Sequence, residues 1–324
     1  MKTYRLANTD LDVSRIAQGC MTLGGPWDSP TVSADTRAQA QRVISAALDH
    51  GINFFDHADI YGRGKSESVF GDVLQGMPGV RQRIIIQTKC AIRFRGDPGP
   101  DDPGRYDFSY EHIIASVEGS LRRLRIDTID ILLLHRPDAL MEPAEVARAF
   151  SELHSSGKVR YFGVSNFNVG QMVLLQKHID QPLVANQLEL NLLHNGLIND
   201  GVVVDVEGDG YSAVTGILDY CRLNDIMIQA YSPVAKGHII NPPEDADTRV
   251  RMAAGAIARL AEEKGVTREA IALAWLLRHP AGIQPVIGTT NVERIAASAQ
   301  ADEVELTRSE WYSLFTAGRG GPVP

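Results

Sequence analysis

Eight times along this chain a short apolar run is followed by a stretch of helical periodicity, and that alternation limits the fold more than any other feature. The runs fall at residues 16–19, 53–55, 84–88, 129–134, 159–164, 183–187, 227–230 and 284–287. They are continuous rather than alternating, as expected of parallel strands buried on both faces. Helical patterns separate them, at about 36–50, 66–75, 109–124, after Pro143, 169–178, 214–224, 248–264, 268–278 and 292–299. Asp35 is a candidate cap for the first helix and Gly51 its terminating residue. Strands that keep alternating with helices form parallel βαβ units. Eight such steps predict an α/β chain closed into a (β/α)8 TIM barrel. An open doubly wound sheet is disfavoured, because no GxGxxG follows the first run and no linker divides the chain. The expectation is one domain over residues 1–324, opened by a β-hairpin around Asn8-Thr9-Asp10, with long loops at the carboxyl ends of the strands. The tail Gly318-Arg319-Gly320-Gly321-Pro322 is expected to be mobile.

Composition narrows the function. The formal charge of −8 argues against a broad phosphate-backbone surface, so no nucleic-acid partner is expected. Cys20, Cys90 and Cys221 lie far apart, with no CxxC or Cys/His cluster. This suits a reducing compartment, and no metal ligands are expected. Residues 1–5 lack the apolar core of a signal peptide, and no run approaches the ~20 apolar residues of a membrane span. A cytoplasmic protein is expected.

In a barrel of this kind the loops after the strands build the active face. Asp56, Lys89, His135, Ser165, Asn166, Gln187 and Tyr231 all stand at or just beyond predicted strand ends. A free phenol, with a pKa near ~10, exchanges protons poorly at neutral pH. A neighbouring ammonium favours the phenolate and lowers that value. Tyr61, with Lys89 as the ammonium and Asp56 holding it charged, would make a proton donor, and His135 would steer a carbonyl. Protonating a carbonyl oxygen is half of a reduction. The hydride must come from a nicotinamide cofactor, whose carboxamide suits Ser165, Asn166 and Gln187 and whose ring suits the face of Tyr231.

Six motifs carry a resemblance: Asp56-His57-Ala58-Asp59-Ile60-Tyr61-Gly62, Thr88-Lys89, Leu134-His135-Arg136-Pro137-Asp138, Gly163-Val164-Ser165-Asn166-Phe167, Asn186-Gln187 and Ala230-Tyr231-Ser232-Pro233. From about residue 11 to 299 the chain resembles the aldo-keto reductases, within them the bacterial members similar to potassium-channel β subunits. The resemblance implies a TIM barrel, NADPH-dependent carbonyl reduction (with NADH as the alternative) and a catalytic tetrad of Asp56, Tyr61, Lys89 and His135. It implies cofactor contacts from Met21, Ser165, Asn166, Gln187 and Tyr231, and from Ser232, Pro233 and Lys236 on the pyrophosphate side. At the adenosine end it implies Gly288, Thr289, Thr290 and Arg294, although many members carry Lys where Gly288 stands. The expected partner is a small carbonyl substrate, and a monomer suffices. The competing reading is a β-subunit-like module whose cofactor state controls a partner protein.

Three other motifs fail on their spacing or surroundings. Gly62-Arg63-Gly64-Lys65-Ser66 ends like a P-loop, but Asp59 occupies its first glycine position. Asp205, Glu207, Asp209 and Gly210 resemble a calcium loop, but its twelfth position is Gly216, which cannot ligate. A Schiff-base role for Lys89 would need a neutral amine, which Asp56 opposes. His57 is expected to pack locally, and His50, His112, His154 and His178 to lie on helix surfaces. The Trp27, 93–108 and 195–212 loops, with Ile60, Ile92 and Phe94, are expected to shape a partly apolar pocket.

Overall fold

A computed structural model describes residues 1–203 and 216–324. The calcium-like residues Asp205, Glu207, Asp209 and Gly210, and residues 204–212 of the 195–212 loop, lie outside the described residues. The chain begins with the hairpin β1 (Thr3–Arg5) and β2 (Asp12–Ser14), paired antiparallel with Thr3 opposite Ser14. Next come β3 (Ala17–Gly19), α1 (Ala34–Asp49), β4 (Phe54–Asp56), α2 (Lys65–Gln75) and β5 (Ile85–Cys90). A second small hairpin, β6 (Ile92–Arg93) with β7 (Arg105–Tyr106), interrupts the 93–108 loop before α3 (Tyr110–Leu124). The alternation resumes with β8 (Ile129–Leu134), α4 (Pro143–Ser155), β9 (Val159–Ser165), α5 (Val169–Gln176) and β10 (Leu183–Glu189). Then follow α6 (Gly196–Asn199), α7 (Ile217–Leu223), β11 (Met227–Tyr231), α8 (Thr248–Lys264), α9 (Arg268–Leu277), β12 (Gln284–Ile287), α10 (Val292–Ala299) and α11 (Arg308–Arg319).

The eight central strands pair in parallel around a closed ring, β3-β4-β5-β8-β9-β10-β11-β12 and back to β3. The predicted (β/α)8 barrel is therefore the observed fold. Hairpin residues Leu6, Leu11 and Val13 pack with Ala17, Phe54, Ile85 and Met227, the first residues of their strands. The hairpin thus plugs the amino-terminal end of the barrel and leaves the carboxyl end open. Outside the ring, the helices bury their apolar faces against the strands, as Val43, Ile44 and Ala47 of α1 do. Among the described residues, no helix is long and apolar enough to cross a membrane.

Three expectations need correction. Helix α1 is capped by Ser33, whose side chain accepts from the Thr36 N–H, so Asp35 lies inside the first turn. His112 is buried on α3, near Arg93 and Asp107 of the β6–β7 hairpin region. Of the tail residues 318–322, the first two belong to α11. Thr307 and Glu310 form a capping box that starts α11. Trp311 stacks on Trp275 with ring centroids 5.5 Å apart. Gly318 is buried, and a Cβ there would sit 2.3 Å from the carbonyl oxygen of Leu192. Gly318→Ala is expected to cost about 1–3 kcal/mol of stability through overpacking, read as a lower urea midpoint with unchanged slope. A wild-type midpoint would mean that this end does not hold the barrel's flank.

Candidate active site

Strand ends bring the four titratable candidates together at the open end of the barrel. Asp56 closes β4, Lys89 is next to last on β5, and His135 follows β8 directly. Tyr61 stands on the loop after β4, which turns through Gly62, Arg63 and Gly64, all at positive φ. Both ends of that loop are tied to β5. Asp59 N–H donates to the Lys89 carbonyl (3.0 Å), and Glu67, in the first turn of α2, accepts from the Thr88 hydroxyl (2.6 Å) and from Arg123 (2.8 Å).

The Lys89 ammonium is fully buried. It donates to Asp56 Oδ1 at 2.7 Å and Oδ2 at 2.8 Å, to the His57 carbonyl at 2.8 Å and to Tyr61 Oη at 3.1 Å. The rings of Tyr61 and His135 meet edge to face, with centroids 5.9 Å apart. Burial works against the charge on Lys89, but Asp56 and Tyr61 outweigh it and raise its pKa above the ordinary lysine value. For Tyr61 the expected direction is overturned. Burial is the largest influence and raises the phenol above 10, while Lys89 only pulls it part of the way back. Tyr61 is therefore a protonated phenol at neutral pH. His135 is held well below the usual histidine range by burial and by the charges of Lys89 and Arg136, so its imidazole is neutral. His57 packs edge-on against Phe70 (4.5 Å) as expected, and burial lowers its pKa to about 3.

Tyr61, His135 and Asp56 face a cavity of about 790 Å³, a volume in the range of ligand sites. Of the other predicted contacts, Met21, Ser165, Asn166, Gln187, Tyr231 and Ser232 line its wall. So do Pro233, Lys236, Gly288, Thr289 and Arg294. Thr290 does not; its carbonyl accepts from Gln39 on α1. Trp27, Ile60 and Ile92 supply the apolar part of the wall. Phe94 stands behind them, edge-on to Trp27 and beneath Arg63. Asn166 is already organised: it donates to Ser165 Oγ (2.8 Å) and accepts from Tyr231 Oη (3.2 Å). Gln187 lines the cavity but turns its amide N–H groups inward, to Asp56 and Gln229.

Three features of the site were not read from the sequence. Arg136 lies on the cavity wall and reaches Tyr231 Oη at 3.4 Å. Glu269 lies on the same wall, and Gln87 lies beneath Asp56. The available signal was a polar residue interrupting or adjoining an apolar strand, which is plain for Gln87 and Arg136 but absent for Glu269 on α9.

The family model described as Aldo/keto reductase family matches residues 15–316. The chain belongs to the aldo/keto reductase family. This aldo/keto reductase is 38% identical to an uncharacterized oxidoreductase, YcsN, of Bacillus subtilis, with all of both chains covered. It is 36% identical to a 6-dehydroglucose reductase of Agrobacterium fabrum, over 98% of this chain and 99% of the other. The structure of a glycerol dehydrogenase from Gluconobacter oxydans superposes with a TM-score of 0.82 at 27% identity, covering 100% of this chain and 97% of that one. The protein is thus an oxidoreductase of a family that uses a nicotinamide dinucleotide. The cavity fits such a group. Lys236 and Arg294 line it, and among the described residues neither is paired with a carboxylate, which suits a polyanion.

On the Tyr61 loop of this aldo/keto reductase, Asp59 is half-buried, with one carboxyl oxygen out of water and unpartnered among the described residues. Burial, then the charge of Glu67, raises its pKa from 3.8 to about 7, against the pull of Arg123. The folded state therefore holds this proton more tightly than the unfolded chain. Its contribution is most favourable below pH 4, declines as pH rises from about 4 to about 7, and is level above that. Asp59→Asn, which cannot ionise, is expected to match wild type near pH 4 and to exceed it at pH 8 by on the order of 2–4 kcal/mol. Urea denaturation at both pH values measures this, and an equal offset at the two would refute it.

Proposed function

We propose that the protein is an NADPH-dependent reductase converting aldehydes or ketones to alcohols in the cytoplasm. The observation that carries this reading is the Lys89 ammonium, 2.7 Å from Asp56 and 3.1 Å from Tyr61 Oη, at the foot of a cavity of about 790 Å³. A bound nicotinamide supplies the hydride for such a reduction. Ser165, Asn166 and Gln187 would hold its carboxamide and Tyr231 its ring, with Met21 beside them. Ser232, Pro233 and Lys236 would meet the pyrophosphate, and Gly288, Thr289 and Arg294 the adenosine end.

The proton is the chain's own part. Tyr61 Oη holds it at neutral pH and delivers it to the carbonyl oxygen as negative charge develops there. Lys89 stabilises the phenolate left behind, because its ammonium is already aimed at that oxygen and needs no reorganisation. Asp56 keeps the ammonium charged and fixed in direction. Neutral His135 donates a ring N–H to the carbonyl and sets its approach. Three free, buried cysteines fit a reducing compartment.

Two similar proteins are named as a 6-dehydroglucose reductase and a glycerol dehydrogenase, so polyhydroxylated aldehydes and ketones stand first in a substrate panel. NADPH consumption at 340 nm, with NADH in parallel, tests the reaction. Tyr61→Phe is expected to lower kcat by about 10²–10⁴-fold while NADPH binding, followed by fluorescence, changes by less than about threefold. Full activity in that variant would remove Tyr61 from the role.

A further inference from the structure

TIM barrels ordinarily fill their interior with layers of branched apolar side chains. Beneath Asp56 this barrel does not. Gln87, Gln187, Gln229 and Gln284 come from β5, β10, β11 and β12, and each is at most 3% exposed. Register sets Gln87 beside Asp56, Gln187 beside Gln229 and Gln229 beside Gln284. Their amides form one connected path. At the hairpin end, Gln284 Nε2 donates to the Ser14 carbonyl (2.7 Å), and Gln229 Nε2 donates to Gln284 Oε1 (2.9 Å). Gln87 and Gln187 both donate to Gln229 Oε1, at 2.8 and 3.1 Å, and both donate to Asp56 Oδ1, at 2.6 and 3.1 Å.

We propose that Gln87, backed by Gln229, is a positioning residue that holds the Asp56 carboxylate in the orientation directing the Lys89 ammonium at Tyr61. The proposal rests on the proton-delivery reading above. Asp56 Oδ1 accepts from Gln87, Gln187 and Lys89 together, so the carboxylate cannot rotate without breaking charge-assisted bonds. Only the amide orientation with N–H toward Asp56 is tolerable, because a flipped Gln87 would set oxygen against oxygen. Gln87 commits both amide hydrogens to Asp56 and Gln229, while its own Oε1 has no partner among the described residues. A buried unpartnered carbonyl is a cost in stability, and an apolar side chain would avoid it. The arrangement serves Asp56 rather than Gln87.

The other ionisable groups around this point are Lys89 on β5, Cys20 after β3, and His57 and Tyr61 on the loop after β4. Cys20 and His57 remain neutral across the working range, because burial raises the thiol well above 9 and lowers the imidazole to about 3. The test uses the full-length protein with NADPH and an aldehyde. Gln87→Met is expected to lower kcat about tenfold, with the carbonyl KM and the NADPH dissociation constant within twofold. Gln229→Met is expected to lower kcat about threefold, and the double variant to be no worse than Gln87→Met, since both act through one carboxylate. Gln87→Glu distinguishes positioning from mere packing. When protonated, the carboxyl group that this substitution introduces would still donate to Asp56, whereas its ionised form repels it. That variant is therefore expected to approach wild-type kcat at the acid end of its pH profile and to lose activity as pH rises. An unchanged kcat in Gln87→Met, or a Gln87→Glu profile parallel to wild type, overturns the proposal.

A second measurement does not depend on turnover. The buried Lys89 ammonium is observed by ¹H–¹⁵N spectroscopy and assigned by its loss in Lys89→Met. In Gln87→Met its signal is expected to shift, with proton exchange at least about tenfold faster; an identical signal overturns the proposal. If wild type reduces no carbonyl compound in the panel, the functional reading fails and this spectrum still decides the positioning. If Gln87→Met does not fold, Gln229→Met and Gln87→Glu carry the same readouts.

Discussion

The contact between Lys89 and Asp56 sets the terms for the rest of this barrel. Both charges are out of water, and desolvating such a pair costs more than their attraction returns unless geometry and remaining hydrogen bonds are nearly complete. Here they are. Lys89 has acceptors in Asp56, His57 and Tyr61, and the acceptor oxygen of Asp56 meets three donors. Each partner comes from a different point along the chain, so the pair is stable only when neighbouring strands close in the right register. The β4–β5 ladder supplies that register by setting Asp56 beside Gln87, two residues before Lys89. A buried ion pair is weak evidence for stability in its own right. Its direction toward a phenol on the cavity wall is what makes it informative about function.

Much of this was legible in the sequence, because parallel strands covered on both faces must be continuous and apolar, and a polar residue at their end is conspicuous. Asp56, Lys89, Ser165 and Tyr231 could be placed at one mouth on that basis alone. What was not legible depends on packing between elements. The direction of the Tyr61 shift follows from how deeply the loop buries the ring, which no local pattern reports. His112 looked like a surface residue because histidine on a helix usually is, yet it is buried near the β6–β7 hairpin, a contact that no local pattern reports. The terminal helix α11 carried a readable signal, Thr307 with Glu310 three residues on, but the glycines that follow drew attention to flexibility. Gly318 is there because the helix approaches the Leu192 backbone too closely for any side chain.

Charge around the cavity is divided by position. At the inner end the one buried cation is matched by Asp56, and the imidazole between Lys89 and Arg136 is kept neutral by both of them. At the outer end Lys236 and Arg294 line the wall with no carboxylate partner among the described residues. Arg136 and Glu269 also stand on the wall, so the cavity lining carries charge of both signs.

On the proposed reading, a phenol held above its ordinary pKa is a sensible proton donor. Two influences act on Tyr61 in opposite directions: burial favours the neutral form, and Lys89 favours the anion. Burial wins while the site faces water, which keeps the proton in place and prevents the idle phenolate that a strongly lowered pKa would produce. When a carbonyl oxygen gains charge beside the ring, the ammonium gains a second anion to stabilise, and its attraction strengthens as water is excluded. Burial then no longer opposes transfer as strongly, because negative charge is already present at the acceptor and only its position changes. A donor of this kind would be gated by the charge of its acceptor rather than by bulk pH. That behaviour requires the ammonium to be immobile, and in this barrel immobility is supplied from below, by amides that reach Asp56 from the interior.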